Sequence, residues 1–274
     1  MTTTPPRTSQ ARRWTSLALA GTAIGFVAAP LQAQDFNAQT GGPDRIWLAQ
    51  AEGGEGGEGG EAGAVAEKEN DAAYVAALGF VEGHLRVGVA LYEADLPDMA
   101  ITHMKHPQDE IYTALAPQLA ERGAEAFDTQ LTALALAVEG GASVEDVQAA
   151  FAAVLHEVEE ASTATTEKAQ LEALVIMTRT AAEEFSIGVV DGAIANLHEY
   201  QDAFGFLQTV RTRAATLAMS SDASVAAAAA KVTAAVDATD AAFAGLDPQG
   251  AVPGTADILF GAAAQMEFAV LSVK

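Results

Sequence analysis

The chain has 274 residues, no cysteine, 37 acidic and 14 basic side chains, and a net charge of −23. That balance excludes disulfide staples and thiolate metal sites, and it repels phosphate backbones, which argues against nucleic acid as a partner. Half the residues are apolar, with alanine the commonest and aromatics only 6%, so closely packed helices are expected: alanine is the strongest helix former and needs little room.

Residues 1–33 read as an export signal. Arg12 and Arg13 precede an apolar run from Leu17 to Ala29, and small residues around Ala33 offer a cleavage site. The run is short for a spanning helix. This predicts a periplasmic or secreted protein with no membrane span after cleavage. Cleavage would remove three arginines and no acid, leaving the mature chain still more acidic. Residues 34–70, with the repeated "GGE", read as a flexible, self-repelling tether that cannot bury a core.

From residue 71 the apolar period is helical. The first helix is expected over 72–95, apolar around more than half its circumference. Pro97 suits the first turn of a second helix running to about 122, stopped by Gly123. A third is expected over 125–139. Ser143, with Asp146 three residues on, caps a fourth that runs to about 160. The second half repeats the rhythm, with helices over 167–190, 193–218, 224–244 and 255–272. "AITHMKHPQDEIY" at 100–112 aligns with "AIANLHEYQDAFG" at 193–205, "HLRVGV" at 84–89 with "EFSIGV" at 184–189, and "FAAVLHE" at 151–157 with "FGAAAQM" at 260–266. Three matches in order predict an internal duplication. The fold class is therefore all-α: a duplicated up-and-down four-helix bundle, eight helices in two related halves, 71–162 and 163–274.

The densest chemistry lies at 99–110. Met99, His103, His106 and Glu110 stand at i, i+4, i+7 and i+11, one stripe of a continuous helix. Imidazoles one turn apart can share a cation, and a carboxylate one turn on completes the set. Pro107 interrupts this reading, since its ring crowds the preceding turn and biases His106 away from helical dihedrals. His84, inside the apolar arc of the first helix, is the natural third donor, and Gly88 permits close approach of a neighbour. Met104 is a possible thioether auxiliary. In the second copy His84 aligns with Glu184, His103 with Asn196 and His106 with Glu199, so oxygen donors replace imidazoles there. The set His84, His103, His106, Glu110, Met99, Met104, Glu184 and Glu199 thus predicts a transition metal ion (iron, copper or zinc). His156 and His198 are read as lying outside it. No nucleophile elbow, phosphate loop or His-Glu-x-x-His motif is present, so catalysis is not indicated.

The leader, the duplication over 71–272 and the inward histidine of the first long helix resemble the imelysin-like periplasmic proteins. Gly83 stands directly before His84, so the Gly-x-His-x-x-Glu motif of that family is absent and no residue role carries over. The resemblance implies two related helical bundles and a place in iron uptake. Two functions follow: an exported metal-binding protein in iron or copper handling, or a metal-free helical module that binds a periplasmic or membrane-bound protein.

Overall fold

The computed structural model describes residues 70–274, the side chains of Asp109 and Glu110 excepted. The expected export signal and nearly all of the tether lie outside the described residues.

Among the described residues, nine α-helices make up the fold. Helix α1 (Asp71–Glu93) is capped by the Asn70 side chain, which accepts from the backbone N–H groups of Ala72 and Ala73. Eighteen of its residues are buried, from Ala72 to Leu91, because every side of it meets another helix. By length and composition α1 would suffice to cross a bilayer, which the sequence reading had not anticipated, and 89% of that apolar window is buried inside the fold.

Helix α2 (Pro97–His106) starts on proline. It passes through a π-helical turn, Pro107–Tyr112, into α3 (Thr113–Arg122), which ends on left-handed Gly123. The expected distortion at Pro107 therefore takes the form of a widened turn. His106 keeps helical dihedrals (φ −49°, ψ −53°), against the bias a following proline imposes. The wider ring of a π turn relaxes the pattern where proline has no N–H to give. Helix α4 (Asp128–Glu139) starts three residues later than expected, after a buried Phe127 whose N–H bonds the Tyr112 hydroxyl. Helix α5 (Val144–Ser162) has the predicted Ser143 cap, bonded to the Asp146 N–H.

The second half holds α6 (Glu167–Gly188), α7 (Leu197–Leu217), α8 (Ala223–Asp237) with a 3₁₀ extension to Ala242, and α9 (Ala256–Val270). Between α6 and α7 the chain makes a small hairpin, Val189–Val190 pairing with Ala193–Ile194 around Asp191 and Gly192, both at positive φ. That hairpin delays α7, so Asn196 becomes its N-cap instead of lying inside a helix.

The described residues share one core. Helix α1 packs on α2 and α5 from its own half and on α6 and α7 from the other. Two glycines set its closest approaches. A Cβ at Gly205 of α7 would fall 2.4 Å from the Gly83 carbonyl oxygen, so α1 and α7 touch backbone to backbone. A Cβ at Gly88 would fall 2.6 Å from Met104 Cε, and that space lets α2 lie on α1.

Candidate metal centre

These two approaches bring α1, α2 and the first turns of α7 together, and four of the five histidines meet there. The rings of His84 and His106 are 4.8 Å apart between centroids, those of His106 and His198 are 5.1 Å apart, and His103 stacks on His198 at 4.3 Å with 5° between planes. His84 also meets the edge of Phe206 at 5.0 Å. His84 and His103 are fully buried, while His106 and His198 are partly buried.

Asp202 of α7 sits at the centre. Its Oδ1 accepts a 2.7 Å hydrogen bond from His84 Nδ1 and lies 3.0 Å from His103 Nδ1, and its Oδ2 lies 3.0 Å from His198 Nδ1. The His103 contact is close but lacks hydrogen-bond alignment, so that nitrogen remains unsatisfied. His198 Nε2 is likewise buried with no hydrogen-bond partner among the described residues. Buried polar atoms are ordinarily partnered; here one unsatisfied nitrogen, His103 Nδ1, stands beside the carboxylate, and the other, Nε2 of His198, belongs to a ring that meets the carboxylate through Nδ1.

Burial alone would raise the Asp202 carboxyl, but His84, His103 and His198 outweigh it and hold the group well below the usual carboxylate range. Burial lowers His106 to about 4, reinforced by His84, His198 and His103 against the opposing pull of Asp202. His198 is also penalised by burial, yet its contact with Asp202 and that group's charge leave it raised above the ordinary imidazole value. A carboxylate kept ionised among imidazoles suits cation binding, since metal ligands must be deprotonated.

Two groups bring their ligand atoms within 4.8 Å of one another among the described residues: His84, His103 and Asp202, and His198, Glu199 and Asp202. Both hinge on Asp202. Of the residues predicted from sequence, His84, His103 and His106 gather here, and Glu199 reaches the edge of the cluster at the start of α7. Met99 instead places its sulfur 3.9 Å from Gln201 Nε2. Met104 is core, its thioether against Gly88. Glu184 is buried on α6 and belongs to neither group. The Glu110 side chain lies outside the described residues. His156 is exposed, as expected.

Sequence reasoning missed Asp202 and Gln201, and it set His198 aside. The available signal was the spacing of His198 and Asp202 at i and i+4 on α7, a metal-chelating step on any helix. Aligning the two halves hid it, because His198 aligns with Lys105 and Asp202 with Asp109. The two copies were read as two separate donor sets. In the structure α2 and α7 supply one composite site against α1.

The fold and the cluster together define an all-helical bundle protein with a buried imidazole–carboxylate centre. Residues 161–267, which take in most of α6 to α9, match the model of the Iron permease-associated 4-helix bundle domain. No curated protein and no solved structure matches the chain. The imelysin-like resemblance is thus met only in its coarser content, a helical-bundle family. The match includes His198, Gln201 and Asp202, while His84, His103 and His106 precede it.

Proposed function

We propose that this chain is an exported, iron-handling metal-binding protein whose site is built on Asp202 by His84, His103 and His198, with His106 at its mouth. The observation that carries this reading is the convergence of three imidazole Nδ1 atoms on one buried carboxylate, with two ring nitrogens unsatisfied. Nitrogen-rich donors with a single carboxylate suit iron, copper or zinc. The match over 161–267 to a domain associated with iron permeases favours iron. Copper(I) is the poorer fit, because the Met99 thioether leans on an amide and not on the imidazoles. The basic, apolar and small-residue order of the N-terminus supports export. The acidic surface would draw cations toward the site.

The test is metal analysis of protein purified without a histidine tag, followed by calorimetry with iron(II) under anaerobic conditions, copper(II) and zinc(II). Stoichiometric binding that is lost in Asp202→Asn is expected. Absence of binding for all three metals would end this reading.

The alternative, a helical module that binds a partner protein, draws on a different surface. Along the outer side of α9, Phe260, Phe268 and Leu271 are 42%, 77% and 67% exposed, an apolar stripe on an otherwise acidic protein. The two readings are compatible, with the stripe serving for docking on a periplasmic or membrane-bound partner. Phe268→Asp would then weaken capture of the partner and leave metal binding intact.

A further inference from the structure

Gln201 precedes Asp202 on α7 and is 2% exposed. Its side chain makes three contacts. Nε2 donates to the Leu246 carbonyl at 2.9 Å and approaches Met99 Sδ at 3.9 Å, while Oε1 stands 2.9 Å from His103 Nε2. The Leu246 carbonyl can only accept, so it decides which end of the amide is nitrogen. Turning the amide over would set two oxygens 2.9 Å apart in a buried space. Gln201 therefore presents an acceptor to His103, and His103 Nε2 must carry the hydrogen.

The neutral imidazole has one N–H and one lone pair. With the hydrogen held at Nε2, the lone pair of His103 is at Nδ1, the atom 3.0 Å from Asp202 Oδ1 without hydrogen-bond alignment. His84 behaves in the opposite way, donating its Nδ1 hydrogen to the same oxygen. Nδ1 of His103 and Oδ1 of Asp202 are then two acceptors 3.0 Å apart in a dry environment, and they repel. A cation between them turns that repulsion into coordination.

From this arrangement we infer that Gln201 is a positioning residue that sets the tautomer of His103, so that His103 offers a metal its Nδ1 and not its Nε2. This rests on the metal-binding reading above. The loop after α8 is the ultimate anchor. Its Leu246 carbonyl orients the amide, and the adjacent Gly245 carbonyl is tied to α7 by the Tyr200 hydroxyl at 2.9 Å. A segment more than forty residues along the chain thereby determines which ring nitrogen faces the carboxylate.

The experiment pairs two measurements on full-length protein. The first is nitrogen-15 NMR of the histidine rings in metal-free protein at pH 8, above the ordinary imidazole range. His103 is expected as the Nε2–H tautomer in wild type and in Gln201→Glu, which keeps an acceptor, and as a mixture in Gln201→Met, which has none. The second is calorimetric affinity for iron(II) and zinc(II). Gln201→Met is expected to weaken binding by about 10- to 100-fold, the usual consequence of losing a partner that orients a ligating histidine. Gln201→Glu should bind more tightly than Gln201→Met. An Nδ1–H tautomer in wild type would overturn the inference, as would wild-type affinity in a folded Gln201→Met. A wild type that binds neither metal would instead remove the metal-binding reading, and the NMR result would still decide what Gln201 does.

Discussion

Two carboxylates lie buried where α1 meets α7, and they are served in opposite ways. Glu82, on α1, has a side chain only 6% exposed and accepts from two guanidinium groups: Arg86 Nε at 2.8 Å and Nη2 at 2.6 Å on one oxygen, Arg213 Nε at 2.9 Å and Nη2 at 2.8 Å on the other. Asp202, on α7, has a side chain 2% exposed and is surrounded by imidazoles. Guanidinium is a permanent cation without a lone pair, so the Glu82 cluster is complete and can only hold the helices together. Imidazole can donate from one nitrogen and ligate from the other. The Asp202 cluster therefore keeps lone pairs that the protein itself does not satisfy. Burial of an acid is common to both, and the chemistry of its partners separates a structural clamp from the proposed metal site.

The comparison can be broken most forcefully at Glu82. Glu82→Gln leaves two guanidiniums sharing a neutral amide in a largely dry interface, and should cost about 3 kcal/mol of unfolding free energy. Denaturant titration checks this, and iron(II) affinity should remain within about threefold of wild type, since that clamp offers no ligand. An equal loss of metal binding would show the two clusters to be one unit. Asp202→Asn should do the reverse. It is expected to lower metal affinity by at least about 100-fold, near 2.7 kcal/mol, with a smaller effect on metal-free stability than Glu82→Gln. His84→Ala and His103→Ala should each cost about 10- to 100-fold in affinity, the first by removing the ring that donates to and orients Asp202 and the second by removing a nitrogen beside it, and calorimetry of the two variants checks both.

Acidity offers a weaker probe that sharpens the same contrast. His106 sits near about 4 in the fold against 6.5 when unfolded, so the unfolded chain takes up a proton first. Its contribution is fully present above pH 6.5 and is lost as pH falls toward 4. His84, His103 and His198 oppose its charge and Asp202 favours it. Metal-free protein should lose thermal stability over that window, and His106→Gln should flatten the loss. The smallest effect is expected at Glu199. Glu199→Gln should change affinity by less than about threefold if the site centres on His84, His103 and Asp202, because Glu199 is only partly buried and belongs to the other group. A tenfold loss would move the ion toward His198 and Glu199.

Much of this molecule was legible beforehand. The helical period, the Ser143 cap, the Gly123 stop and the stop after Glu139 were readable because each depends on a few neighbouring residues. The convergence of His84 with His103 and His106 was suggested by one inward histidine and a glycine one turn on. What failed was the pairing across the duplication. The hairpin after Gly188 delays α7, so Asn196, aligned with His103, becomes a cap and leaves the donor set. The alignment left His198 outside the donor set and did not single out Asp202, whereas the Gly83–Gly205 contact turns that side of α7 into the interior. At Pro107 a distortion was legible but its form was not, because the proline rule describes regular α-helix and here a π turn accommodates the ring.

Composition and periodicity by themselves determined an acidic, cysteine-free, all-helical chain with nitrogen and oxygen donors and no sulfur nucleophile. These properties add up along the chain and need no distant partner. Only the tertiary structure decided which carboxylate the histidines share, which ring nitrogen faces it and which acid is merely clamped. Those outcomes depend on contacts between residues about a hundred positions apart, where two glycines let helices approach until side chains from both halves occupy one dry space.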